Sequence, residues 1–389
     1  MASPIIASST DSSLDDLCRA AFDGEPWQCT PELVRNFYRS FHRFLLGPSF
    51  ASALRRVSQR AFYSSPPLLF DVYRAIADTM QDARESVGAP NEASIARGTS
   101  SLERLRTVDI AGEDDALAIL ALGQTLAAHD LLTNCNGCVL IMRYSLSCAE
   151  PWYGRLARDA SLDPITTSTV FWDIVCCLVR GQMPVVKPQV REEGAVDRLA
   201  GLCTTMLPIL YDLAVALNKA SAARTGGAEA ETTSFRNIEA MLRAWTPTPP
   251  ENFDKRYTEV ERLRMRAQAS MYRSAALLVA HRAMHEFGTA DDIARAHANH
   301  ILHELSTHEE LLGPDLCLRH IGFPLFTVAV EVPELSSSLL HKIDLLDVAP
   351  TARQQMGALV DYVWAQRNSG FRGYLHQLVQ RGPTFVAVP

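Results

Sequence analysis

Lysine is almost missing from this chain: Lys187, Lys219, Lys255 and Lys342 are the only four among 37 basic residues, the rest being arginine. Against them stand 44 acidic residues, for a net charge of −7. Polyanions are held largely through released counterions, which demands a concentrated basic face. The arginines here are scattered and locally offset by Asp and Glu, so direct nucleic-acid binding is not expected. Phosphate-cradling patterns are absent too, with no GxxxxGK[ST] and no GxGxxG following a strand. There is no GxSxG, and no sheet on which a nucleophile elbow would sit. These absences remove the commonest nucleotide enzymes and hydrolases.

The first residues, MASPIIASSTDSS, have neither a basic start nor a long apolar core, which excludes a secretory signal. No uninterrupted apolar run approaches the ~20 residues a membrane span needs. The nine cysteines are odd in number and irregular in spacing, which does not describe a disulfide framework. Cys176, Cys177, Cys203 and Cys317 lie in apolar runs, where a thiol behaves as a small hydrophobe. The expectation is a soluble intracellular protein in a reducing compartment, with no membrane partner.

What the chain does have is helical periodicity. Sustained period-two alternation between turn signals is nowhere found, so the fold class expected is all-α: a multi-helix array of antiparallel helices with no significant sheet. Residues 1–30 read as a flexible N-terminal arm carrying a short helix, Leu14 to Phe22, and 31–389 as one helical domain. Thr30-Pro31-Glu32 starts a helix that turns Leu33, Phe37, Phe41 and Leu45 inward and stops at Gly47-Pro48. Ser65-Pro66 starts another that ends near Gly88; further helices cover Leu102–Leu105, Ala116–Leu132, Val139–Ser147 and Val170–Val179. Glu150-Pro151 should break the helix before it, and Pro208 should kink a helix over Val196–Leu217. Residues 222–234 form a polar, low-complexity insert expected to be mobile, and Trp245–Pro250 a stiff connector. Late helices cross Met356–Trp364 and Tyr374–Val379.

The chain is organised around residues 253–332. A helix from Tyr257 to Phe287, stopped by Gly288, carries Val260, Leu263, Ala267, Met271, Ser274, Ala275 and Leu278 as one apolar stripe. Ala275–Ala280 is apolar on every side, as in a helix crossing a large core. On the next helix, Ala290–Ser306, residues His297, His300, Glu304 and His308 fall within about 80° of one another at ~100° per residue. Such a face can bind zinc or iron, but it reads first as a solvated or inter-helix polar face. His303 to His308 has one residue too many for HExxH. His281 and His285 read as hydrogen-bonded core histidines. Cys135-Asn-Gly-Cys138 is a lone CxxC at a turn, without the second pair or the βαβ setting that metal or redox use requires. Lys255, Arg262, Arg266 and Arg273 line the long helix as a solvated basic face, with Glu259 placed to pair with Arg262. Trp152, Tyr153, Phe171 and Trp172 line a small-molecule pocket or, more simply, belong to the core. No catalytic residue and no cofactor is called for.

Several of these stretches, in this order, resemble the fungal-specific transcription factor regulatory domain. Ala276–Arg282 is similar to that family's apolar helix ending in Leu-His-Arg, and Gly322–Val330 to its Pro-Leu-Phe helix. Met206–Ala214 and Ile238–Trp245 resemble the helix pair before its proline-rich connector. Phe171–Gln182 and Met356–Trp364 resemble two further helices, so the likeness spans roughly residues 100–375. It implies a nuclear regulator of transcription whose helical region mediates autoinhibition, dimerisation or sensing. Its partners would be other transcription regulators or a small-molecule effector, with self-association a further option. The family's six-cysteine zinc cluster is not in this sequence, where only Cys18 and Cys29 precede Cys135, so promoter binding is not implied. The alternative is a helical enzyme or small-molecule-binding protein of secondary metabolism on the same scaffold, using His297, His300, Glu304 and His308.

Overall fold

The computed structural model describes residues 41, 44–84, 92–189, 195–222, 228–313 and 317–389. Among these there is no strand, only an isolated antiparallel bridge between Asp197 and Gly201, and the fold is an all-α, multi-helix assembly. The helices are α1 (Ala51–Ser64), α2 (Pro66–Arg84), α3 (Glu92–Thr107), α4 (Glu113–Leu132), α5 (Cys138–Leu156), α6 (Asp163–Arg180), α7 (Leu207–Ala222) and α8 (Ala228–Ala244). A single turn, α9 (Phe253–Arg256), leads into α10 (Glu259–Met284) and α11 (Asp291–Leu312). Then come α12 (Gly322–Ala329), the short α13 (Ser336–Leu340) and α14 (Asp344–Asp347), α15 (Pro350–Asn368) and α16 (Leu375–Arg381). The expected arm, the helix over Leu14–Phe22 and most of the helix from Thr30 lie outside the described residues; Phe41 and Leu45, expected to face inward, are buried.

Two elements form the floor on which everything else rests. The helix α4 opens on Glu113, Asp114 and Asp115, whose charge suits the positive end of a helix. Beyond them it is buried on nearly every side. Five residues turn it back into α5, the close helical hairpin that a short connection dictates. Helix α6 is likewise enclosed: the stretch Ala160–Arg180 is long and apolar enough to cross a membrane by composition, and 89% of its apolar 18-residue window lies buried inside the protein.

Helix α10 runs through the other half and packs against α7, α8, α11 and α12. Thr258 caps it. The Thr258 hydroxyl accepts the Glu261 amide at 3.3 Å while Glu261 accepts the Thr258 amide at 2.8 Å, a reciprocal capping box. The same carboxylate takes the Ser49 amide (2.8 Å) and hydroxyl (2.6 Å). Burial works against its charge, but these hydrogen bonds outweigh that and hold Glu261 below the ordinary carboxylate range.

The apolar stripe expected on α10 is shifted. Val260 and Leu263 are only half-buried, whereas Glu261, Arg264 and Gln268 are buried. The reason is backbone chemistry. Gln268 Nε2 donates to the carbonyls of Leu199 (2.7 Å) and His320 (3.0 Å), and Arg264 Nη1 to that of Leu46 (3.4 Å). Three non-helical segments meet on α10 and need donors there. Arg198, completely buried, does the same service for Pro164 (2.8 Å) and Phe44 (2.7 Å).

Prolines correct two expectations. Pro151 does not end a helix: α5 continues through it to Leu156, because Ala149, Tyr153 and Leu156 keep one face in the core. Pro208 does not kink a helix over Val196–Leu217. It stands in the first turn of α7, where its missing N–H is one of the unpaired amides anyway. Ahead of it residues 195–201 form a bridged turn around Gly201, whose φ of +55° is open to glycine, followed by a 3₁₀ turn at Leu202–Met206. Helix α1 was not foreseen. Part of the polar insert, from Ala228 on, is the first turns of α8, and 223–227 lie outside the described residues.

The last residues run extended and buried across α6 and α12. Trp172 Nε1 and Cys176 Sγ both donate to the Ala387 carbonyl (3.0 and 3.3 Å). Gly322 opens α12 directly beneath Val388: an added Cβ would stand 2.6 Å from both the Val388 carbonyl oxygen and its Cγ2. Gly322→Ala is therefore expected to lower stability by about 1–3 kcal/mol, the usual cost of overpacking against backbone. A urea midpoint equal to that of the parent protein would refute this account of the glycine.

Candidate functional site

The structure separates the histidines that periodicity had grouped. His300 and Glu304 face Ser270 across the α10–α11 contact: Ser270 Oγ donates to Glu304 Oε1 (2.9 Å) and lies 3.1 Å from His300 Nε2. His297 sits a turn earlier, its Nε2 buried without a partner, and burial, with Arg243 nearby, pushes it down to about 4. His308 is buried farther along α11. Among the described residues no three of His, Cys, Asp and Glu are placed to hold a metal ion.

Serine, histidine and glutamate in contact invite comparison with a catalytic triad, and the hydrogens decide the matter. A hydroxyl has one proton to give. Since Ser270 gives it to Glu304, His300 must donate its own Nε2–H to Ser270 and has no lone pair there to act as base. The trio ties α10 to α11 rather than activating a nucleophile. A second, unforeseen Ser–His contact joins Ser94 Oγ to His129 Nε2 at 3.0 Å, with Thr79 at 2.7 Å and the Ala75 carbonyl at 2.9 Å. All of these side chains are buried in the α2–α3–α4 core, out of reach of any substrate.

His281 donates its Nε2–H to the Ala290 carbonyl (3.0 Å) and lies against His285, the two rings tilted with centres 4.5 Å apart. Beside it Arg282 is buried and grips Glu331 with two 2.7 Å bonds. The basic face on α10 is solvated or locally satisfied: Arg262 pairs with Asp254 at 2.6 Å rather than with Glu259, Arg266 lies over Phe253, and Arg273 reaches the Trp245 carbonyl. The four aromatics share no pocket. Trp152 lies under Arg155 at the surface, Phe171 packs on Tyr272, and Trp172 serves the extended C-terminal residues.

A concave site lies elsewhere. A cleft of about 400 Å³ opens between the α4–α5 turn, the end of α6 and residues 384–386. Cys135 and Cys138 stand at one end. Cys135 has φ +54°, its amide is bonded to the Asp130 carbonyl, and the Gly137 amide is held by the Asp130 carboxylate at 2.8 Å. Burial keeps both thiols protonated, Cys135 being pushed up to about 12 with Asp130 adding to the effect. Thiols so held are inert as nucleophiles.

Along the wall, Arg143 Nη1 bridges Asp173 (2.7 Å) and the Cys177 sulfur (2.8 Å), and its Nη2 donates to the Met183 carbonyl (2.7 Å). Asp173, fully buried, is lifted above the ordinary carboxylate range because burial outweighs Arg143 and the Val185 amide. Arg180, last residue of α6, lies over the Phe385 ring at 5.1 Å and donates to the Phe385 carbonyl. Leu140 and Met183 stand at the cleft with 72% and 44% of their surface exposed. The CxxC turn was legible in the sequence, but the cleft was not: its walls come from residues 135–143, 180–183, 218 and 384–386. No family model, curated protein or solved structure matches this chain.

Proposed function

We propose that this chain is a transcription-regulatory domain, acting in the nucleus through protein partners or a small-molecule effector, with any DNA contact supplied from outside these residues. What supports the reading is the way the family-like segments pack. Ala276–Arg282 lies in α10, Gly322–Ala329 in α12, Met206–Ala214 in and just before α7, and Ile238–Ala244 in α8, and α10 touches the other three helices. Motifs that are individually weak are thus parts of one interior. The acidic net charge, with Arg262 and Arg273 of the α10 basic face locally satisfied, suits a domain that binds regulators rather than DNA. The Ser270–His300–Glu304 geometry, a tie between helices, favours this reading over an enzyme built on the histidine face.

The test is a tethering assay. Fused to an unrelated DNA-binding module, the chain should change transcription of a reporter carrying that module's site several-fold, up or down. Cross-linked isolation from nuclei should recover transcription factors or coactivators. An unchanged reporter together with no such partner would overturn the proposal.

A further inference from the structure

Resting on that reading, we propose that the cleft between the α4–α5 turn, the end of α6 and residues 384–386 binds the effector, and that the effector is a small organic anion: one carboxylate on a compact apolar body.

The argument starts from an imbalance of charge. Arg143 is answered by Asp173. Arg180 is not: no carboxylate among the described residues pairs with it. Its Nη2 has the Phe385 carbonyl, its Nε is buried with no hydrogen-bond partner, and its Nη1 makes no hydrogen bond among the described residues, while the residue itself lines the cleft. A guanidinium drawn partly out of water and short of acceptors is costly to leave unpaired, and a planar carboxylate is the acceptor that matches its geometry. Nothing in the cleft competes for that place, because the thiols of Cys135 and Cys138 carry no charge.

The rest of the lining describes the ligand's other end. Val139, Leu140, Met183, Phe385 and Val386 give the cleft an apolar wall, and Leu140 and Met183 leave large apolar side chains open to solvent at it. Exposed apolar surface beside a concave site with a few polar groups, here Asn136, Arg143, Gln182, Asn218 and Thr384 besides Arg180, is the usual composition of a small-molecule pocket, and about 400 Å³ lies in the usual size range. Asn218 is committed to the Gly181 carbonyl at 3.1 Å, so it holds the end of α6 and positions Arg180 rather than waiting for ligand.

The experiment uses 2-naphthoate as the probe and its neutral amide, 2-naphthamide, as the control of equal shape, with titration calorimetry on the full chain. Naphthoate should bind with one site per chain and naphthamide at least roughly tenfold more weakly, the loss expected when a charged hydrogen bond is replaced by a neutral one. Arg180→Gln should abolish the difference between the two probes. Met183→Trp, which keeps Arg180 and fills the mouth of the cleft, should weaken both and serves if Arg180→Gln proves unfolded by circular dichroism. Equal binding of the two probes by the parent protein, or no binding of naphthoate at about 1 mM, overturns the proposal. These results are independent of the tethering assay. A silent cleft with an active reporter counts against this site alone, and a working cleft with a silent reporter counts against the regulatory reading alone.

Discussion

Glu331→Ala is expected to lower stability by roughly 3–5 kcal/mol, the cost of leaving a buried ion pair half-made. Glu331 and Arg282 are 3% and 1% exposed and joined by two parallel 2.7 Å bonds. Arg367 approaches the same carboxylate at 3.6 Å, and both guanidinium groups lie over the Phe287 ring, at 4.9 and 4.2 Å. Removing the carboxylate leaves the buried Arg282 and the partly buried Arg367 beside one aromatic ring without the anion they share. Asp291 also pairs with Arg282, at 2.8 Å, but 44% of its side chain is exposed. Asp291→Asn should therefore cost only about 0–1 kcal/mol, as exposed pairs do. Urea unfolding of the two variants decides between burial and charge count as the governing factor. Equal losses would sink the argument. A double variant, Glu331→Leu with Arg282→Met, should recover much of the loss, since an apolar pair of similar volume carries no desolvation cost.

Acid should unfold this protein unusually early. Burial pushes His129 down to about 4 and His320 down to about 3, Arg198 and Arg319 adding to the latter. His297 stands at about 4, for burial first and Arg243 second. In the unfolded chain each imidazole charges near its ordinary value of 6.5. Between 6.5 and about 4 the unfolded state therefore binds more protons than the native one, so the stability these groups contribute is full above 6.5 and is lost as pH falls. Each gives a slope of up to ~1.4 kcal/mol per pH unit, and three together up to ~4, with His297 giving less because it is partly open to solvent. Down to pH ~4 this removes up to roughly 10 kcal/mol, so for a total stability in the lower half of the usual range of ~5–15 kcal/mol an acid midpoint between about pH 4 and 5 is expected. Circular dichroism against pH measures it, and His129→Gln should reduce the proton uptake on unfolding by about one. A midpoint below pH ~4 without such uptake would count against the assignment.

How far the sequence foretells this molecule depends on which groups need partners. Apolar spacing found α4, α6, α10 and α11, because their faces are set by burial of side chains, which a periodic pattern records directly. It misplaced the face at the start of α10, where the buried residues are Glu261, Arg264 and Gln268. They are there for the carbonyls of Leu46, Leu199 and His320, and no local pattern announces a distant carbonyl. The prolines misled for a related reason: Pro151 is tolerated by tertiary burial, and Pro208 belongs to a helix start that its neighbours do not advertise. The histidine face of α11 was legible as a face. That His300 and Glu304 meet Ser270, and that the cleft lies on the other side of the molecule's sequence order, depended on packing alone.

The donors along α10 also determine how the chain can be divided. Gln268 and Arg264 bond carbonyls from three separate loops, and Ser49 closes on Glu261 from more than two hundred residues away. A cut in the 245–250 connector would leave both products with an unfinished interior: one loses the donors for Leu46 and Leu199, the other keeps Arg264 without the Leu46 carbonyl, Glu261 without Ser49 and Gln268 with the His320 carbonyl but not that of Leu199. Neither piece is expected to fold by itself, though the two expressed together should reassemble. Truncation series, the ordinary way to map a regulator into portable modules, would thus register loss of the whole body wherever they stop short of both sides of α10.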